Sequence, residues 1–134
     1  MRTGVILLGH GSRIPEANKH LRQLAEQVGA LLKGMSVEAC YMVYANPSLS
    51  EGVARMVREG ISRIIVAPIF LSNGLHVQQD IPEELRRIRE TYPEVELIYT
   101  SNLGADRRIA EIIMDRILEV APGGLSAGSQ GHRG

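Results

Sequence analysis

The sequence has one cysteine, no excess of charge of either sign, and no apolar run long enough to cross a membrane. A lone Cys40 excludes an internal disulfide and any paired-cysteine metal or redox motif. It falls in an expected strand, Val37–Val43, where such a thiol serves as small core filling. Fifteen basic and fifteen acidic side chains cancel, which removes the global electrostatic case for nucleic acid or an anionic membrane and leaves only local clusters to recognise an anion. The run Ile64–Leu71 is eight residues, against the roughly 20 of a spanning helix. Val5–Leu8 is likewise too short for the apolar core of a secretory leader. The expectation is a cytoplasmic protein with neither a membrane nor a nucleic acid as partner.

What is present is one domain's worth of alternating elements. A chain of 134 residues buries roughly two thirds of its unfolded surface, enough for a single core. Gly4–Leu8 reads as a buried first strand that runs into the turn Gly9-His10-Gly11-Ser12. Apolar residues from Ile14 to Leu31 then step by three and four, with Pro15 in the first turn and Gly34 after the end, as in an amphipathic helix. Val37–Tyr44 is expected as strand two, closed by Ala45-Asn46-Pro47. Ser48 and Glu51 form a capping-box pattern for a second helix that ends at Gly60. The third strand is placed at Arg63–Ala67, with the chain leaving the sheet near Pro68 because proline cannot donate to the ladder. Its length and apolarity suit a strand covered on both faces. Asp80 as N-cap, with Pro82 in the first turn and Glu83 three residues after the cap, opens a third helix that Pro93 stops. Val95–Thr100 is the fourth strand, and Ile109–Val120 carries the last helical stripe. Residues 122–134, His132 included, have nothing to bury and read as a flexible tail, leaving 1–121 as the folded domain.

Four strands alternating with four helices through short loops define an α/β fold with a parallel sheet and right-handed crossovers. The doubly wound order 2-1-3-4 is the simplest arrangement. It makes strands one and three neighbours, so that their exits flank the switch-point crevice where ligands bind in open α/β sheets. His10 follows the first of these strands and His76 the third, and the two are expected to face each other. A pair of neutral imidazoles suits a divalent Fe, Co, Ni, Cu or Zn ion and accepts protons near neutral pH. His20, in the middle of helix one, reads as a surface or boundary residue away from this rim. Gly9 and Gly11 admit close backbone approach, and Ser12 at the start of helix one offers either an anion cap or a plain helix cap. Arg13 sits beside this loop, and Arg107 and Arg108 follow the fourth strand; each either meets a substrate carboxylate or is a solvated helix charge.

Gly-His-Gly-Ser-Arg at 9–13, Ala-Asn-Pro-Ser at 45–48 and the run from Pro68 to Pro82 together resemble the small sirohydrochlorin chelatases, the single-domain branch of the ATP-independent class II chelatases. The resemblance spans residues 3–120, and the stretch around His76 is its most specific part. It implies a chelatase-like half-lobe that inserts Co2+, or Ni2+ or Fe2+ in related branches, into sirohydrochlorin, an acidic tetrapyrrole of cobalamin and related biosynthesis. It implies His10 and His76 as the metal-binding and catalytic positions, with no permanently bound cofactor. The ring would lie on a rim of Gly9, Gly11, Ser12 and Arg13 on one side and Ser72, Asn73, Gly74 and Leu75 on the other. The short form further implies a homodimer in which a second copy supplies the second lobe. The sequence departs from the family where relatives often carry acids: Val43 and Asn46 stand there, so these positions supply no carboxylate to help with metal or protons.

Two other functions use the same residues. A metal or tetrapyrrole carrier would need only the two histidines. A phosphohistidine-type phosphatase also places a histidine after its first strand, but it has an arginine before that histidine, where Gly9 stands here.

Overall fold

The computed structural model describes residues 2–72, 74–121 and 123, excepting the side chains at 75–78. Its elements run β1 (Thr3–Gly9), α1 (Pro15–Leu31), β2 (Ser36–Tyr41), α2 (Leu49–Arg58), β3 (Arg63–Pro68), α3 (Leu75–Thr91), β4 (Glu96–Tyr99) and α4 (Arg107–Val120). The four strands form one parallel sheet in the order β2-β1-β3-β4, the simplest arrangement expected from the alternation of elements. The chain divides into two compact units, Met1–Gly104 and Ala105–Gly134.

In the first unit β1 is the central strand, and alternation of its side chains fills two separate cores. Val5 and Leu7 pack with Ala25, Ala39 and Tyr41 on the face that α1 covers. Ile6 and Leu8 point the other way, into a larger cluster with Cys40, Val53, Met56, Ile64, Val66, Ile81 and Leu85. The helices follow from local signals. In α2, Ser48 Oγ accepts from the Glu51 N–H at 3.1 Å and the Glu51 carboxylate accepts from the Ser48 N–H at 2.8 Å, the reciprocal cap expected from their spacing. Gly34 and Gly60, which follow α1 and α2, have φ of +88° and +89°.

Several boundaries differ from expectation. Strand two ends at Tyr41, three residues early, although the next two amides still bond to the β1 exit. Pro68 is the last residue of β3 and pairs with Leu8, which is possible because a strand's end tolerates the missing donor. β3 is fully buried on the α2 and α3 side only; Ile65 and Ala67 on its other face are half-buried. The third helix starts at Leu75 from a Gly74 N-cap in extended conformation, with Pro82 in its interior. Asp80 is therefore a helix residue and not a cap. Ile81, Leu85 and Ile88 anchor this helix in the core, and nothing between Gly74 and Asp80 breaks it. Pro82 removes one backbone donor, that to the carbonyl four residues before it. Strand four is the shorter Glu96–Tyr99. The expected tail, 122–134, lies outside the described residues apart from Gly123.

In the second unit, Asp106 caps α4 by accepting from the Arg108 N–H at 2.8 Å and binds the Arg108 guanidinium through both oxygens. These bonds hold its carboxyl well below the usual carboxylate range. Arg107 lies 3.4 Å from Glu111. Both arginines thus have carboxylate partners on their own segment, the solvated-charge alternative of the two considered for them.

Cys40 lies wholly inside the larger core, and burial pushes its thiol up to about 12. A Cβ on Gly52 of α2 would come within 2.3 Å of its sulfur. Gly52→Ala should therefore cost about 1–3 kcal/mol by overpacking, read as a lower urea midpoint with unchanged slope. In the wild type at pH 8 the thiol remains protonated. An aromatic disulfide reagent should label it only at the rate of unfolding, and rapid stoichiometric labelling of native protein would contradict the burial.

Candidate functional site at the strand exits

The site grows from the end of β1. Hydrogen bonding along both edges of this strand continues beyond the regular sheet: Met42 N–H donates to Gly9 O at 3.0 Å, Val43 N–H to His10 O at 3.0 Å, and Ile69 N–H to Leu8 O at 2.9 Å. The turn carrying His10 is thus joined to the β2 exit on one side and set beside the β3 exit on the other. Gly11 has φ +97°, and a Cβ there would lie 1.8 Å from the Val43 carbonyl oxygen. Only glycine fits, because conformation and contact both exclude a side chain.

His10 is exposed, with Nδ1 3.3 Å from the Gly11 carbonyl oxygen. In the tautomer with the proton on Nδ1, that nitrogen donates to the carbonyl and Nε2 keeps its lone pair for a metal or a proton. Ser12 is held differently from either role expected of it. Its N–H donates to Asn18 Oδ1 at 2.9 Å and its carbonyl accepts from Asn18 Nδ2 at 2.8 Å, while its Oγ accepts from the Ile14 N–H at 3.0 Å. Ile14 is the N-cap of α1 and receives no side-chain cap. Ser12 therefore closes a short turn before the helix, and its amide is already committed to a protein acceptor.

Among the described residues, Asn18 is the buried polar residue of this unit's core, 8% exposed. Its own carbonyl accepts a 2.6 Å bond from the Tyr41 hydroxyl. Its side-chain amide thus satisfies both polar groups of the Ser12 backbone and ties the His10 turn to α1, while its backbone carbonyl ties α1 to β2. Sequence reading missed this residue, which follows the turn motif by six positions and is one side chain within an amphipathic repeat. Its signal was a polar residue next to the apolar repeat Ala17, Leu21, Leu24, of which Ala17 and Leu24 are exposed while Asn18 is buried.

A cavity of about 360 Å3 opens beside this turn, lined by His10, Ser12, Asn18 and His20 with Leu21, Leu24, Tyr41 and Ile69. His20 is exposed as expected, but it shares this cavity with His10 instead of standing away from the rim. The reason is how closely α1 crosses the end of β1: a Cβ on Gly9 would come within 2.6 Å of Leu21 Cδ2. On the opposite face a smaller cavity of about 140 Å3 is lined by Leu8, Tyr41, Met42, Ser48, Leu49, Asp80, Ile81 and Glu84. There Glu84 accepts from Ser50 Oγ at 2.7 Å and pairs with Arg87 at 2.9 Å.

The other expected site residues follow β3. Ser72 is exposed and Gly74 caps α3. Leu75 and His76 form the first residues of that helix, so His76 belongs to a helix's opening turn and not to a free loop. Asn73 and the side chains of Leu75 and His76 lie outside the described residues. The backbone brings the His10 turn and the β3 exit to the same edge of the sheet through the pairing of β1 with β3. Arg13 lies over the Tyr44 ring, 4.4 Å from Cζ to the centroid.

A four-stranded 2-1-3-4 sheet with a histidine turn at its central switch point defines a doubly wound α/β lobe with its candidate site at the strand exits. The family model described as CbiX matches residues 4–120, and the chain belongs to the CbiX family. It is 34% identical over 135 residues to the sirohydrochlorin cobaltochelatase of Methanopyrus kandleri, covering 86% of this chain and 94% of that protein. It is 33% identical to the sirohydrochlorin ferrochelatase of Priestia megaterium, covering 86% of this chain but 43% of the relative, so it spans about half the length of that protein. Among solved structures, the sirohydrochlorin chelatase SirB of Bacillus subtilis subspecies spizizenii in complex with cobalt superposes with a TM-score of 0.83 at 26% identity, over 90% of this chain and 52% of that one. Among the described residues, no helix is long and apolar enough to cross a membrane.

Asn18→Ala should leave the Ser12 N–H and carbonyl without their partners and cost about 1–3 kcal/mol, measured by urea unfolding. Asn18→Asp keeps an acceptor for the N–H but offers no donor to the carbonyl, and should fall between wild type and alanine. A change below about 0.5 kcal/mol for alanine would show that the turn does not depend on this amide.

Proposed function

We propose that this protein is a sirohydrochlorin metal chelatase that inserts a divalent metal ion into the tetrapyrrole without ATP, with Co2+ as its substrate ion. The observation that carries the proposal is the His10 turn fixed at the central strand exit, beside the exit that leads into His76, in a chain of the CbiX family. Cobalt is favoured over iron by size class. The relatives named cobaltochelatases from Methanopyrus kandleri and Methanocaldococcus jannaschii are matched over 94% and 95% of their length, whereas those named ferrochelatases are matched over less than half. Ni2+ and Fe2+ are chemically acceptable to the same imidazoles.

Metal insertion requires two pyrrole N–H protons to leave, the ion to shed water, and the ring to bend so that its nitrogen lone pairs meet the ion. His10 and His76 supply nitrogen donors that hold the ion or receive protons as they leave. Gly9, Gly11, Ser12, Arg13 and the segment Ser72–Leu75 form the rim that accepts the ring, with Arg13 for one of its carboxylates. At the β2 exit neither Val43 nor Asn46 provides a carboxylate, so the imidazoles beyond β1 and β3 carry this chemistry alone. Because the chain equals one lobe of the double-length relatives, a second copy supplies the other lobe as a homodimer. The protein works in the cytoplasm on a small anionic substrate.

Trace protein mixed with excess sirohydrochlorin and Co2+ should form many product molecules per protomer, followed by absorbance against a metal-only control. A carrier would stop at a stoichiometric complex. His10→Ala and His76→Ala should each lower turnover at least about 100-fold, the scale of a positioned acid-base group. Variants that stay folded and insert cobalt at the wild-type rate would exclude those residues. Sedimentation equilibrium should give twice the 14.7 kDa chain mass, and a monomer at assay concentration would remove the second lobe from the proposal.

A further inference from the structure

We infer that Tyr44 is a specificity-determining residue of the ring-binding rim: it holds the Arg13 guanidinium face-on so that its N–H edges meet a carboxylate of the tetrapyrrole. The inference rests on the chelatase reading and extends it to a residue outside the histidine motifs. Tyr44 has φ +69°, a left-handed conformation that a bulky side chain rarely adopts and that tends to accumulate at binding sites. The ring is 55% exposed, so core packing does not account for the conformation. It lies directly after Val43, whose amide bonds to the His10 carbonyl and whose own carbonyl abuts Gly11. Tyr44 is thereby fixed to the same turn that presents His10 and Arg13.

Stacking on an aromatic face occupies the guanidinium plane and leaves its in-plane donors for an anion. Among the described residues, Arg13 has no carboxylate partner. Arg55, Arg86, Arg87, Arg107, Arg108 and Arg116 are all paired with acids. A stacked, unpaired guanidinium three residues beyond His10 has the chemistry to bind the acidic periphery of a macrocycle whose centre is at the imidazole. A carboxylate accepts two parallel N–H bonds from such a fork, and holding the fork in place reduces the entropy lost on binding.

The test is equilibrium binding of metal-free sirohydrochlorin, followed by its absorbance at low and high ionic strength. It uses wild type, Tyr44→Phe, Tyr44→Asn, Arg13→Gln and the Arg13→Gln/Tyr44→Asn double variant. Asparagine adopts the left-handed region readily, so that variant keeps the backbone. Tyr44→Phe should bind as wild type. Tyr44→Asn should raise Kd about five-fold and Arg13→Gln about ten-fold, magnitudes expected for a cation–π contact and a charge-assisted bond. Both should flatten the salt dependence, and the double variant should be no weaker than Arg13→Gln alone. Wild-type affinity in Tyr44→Asn, equal loss in Tyr44→Phe, or a further loss in the double variant would overturn the inference, as would no ring binding by wild type. A wild type that binds the ring in this pattern yet inserts no metal would refute the chelatase reading while supporting the role of Tyr44.

Discussion

Everything at this site depends on a central strand that bonds along both edges and continues to do so past its own end. β1 pairs with β2 and β3 through residues 3–9, and three further amides extend that pairing around Gly9 and His10. Because all strands are parallel, their exits lie on one edge of the sheet. The ladder thereby sets His10 at a fixed height between two neighbouring loops. A hydrogen bond lost there would displace the His10 side chain as well as weaken a strand.

The turn itself is stabilised by shape and polarity together. Gly11 allows the Val43 carbonyl to approach where any β-carbon would collide. Asn18 then satisfies the Ser12 amide and carbonyl, which the turn withdraws from both sheet and helix. This division of labour leaves His10 as an exposed group on a well-held backbone. A backbone held in this way keeps the exposed imidazole in position without occupying its Nε2.

Much of this was legible in the sequence where physics acts locally. Element order fixed the sheet order, the Ser48–Glu51 spacing identified a reciprocal cap, and the glycine-flanked histidine marked the switch point. The failures have equally specific causes. Asp80, Pro82 and Glu83 mimic a helix start, but a proline inside a helix forfeits only one bond when Ile81, Leu85 and Ile88 anchor it, so α3 begins upstream and takes in His76. His20 was assigned away from the rim because periodicity gives a helix face but not how closely that face crosses a neighbouring strand. Asn18 and Tyr44 escaped notice because their roles depend on contacts with Ser12 and Arg13 that no spacing rule encodes.

The position of Cys40 has a consequence in a family whose named relatives are cobalt and iron chelatases. Thiolates are soft ligands that capture such ions and are oxidised by them. Here the chain's single sulfhydryl is enclosed by aliphatic side chains and kept in its neutral form, on the inner side of the sheet from which solvent is excluded. On the proposed function, an ion in transit would be offered nitrogen at the rim and would meet no competing sulfur anion. While the fold persists, free cobalt, iron or dissolved oxygen has no solvent-exposed surface of that atom to attack.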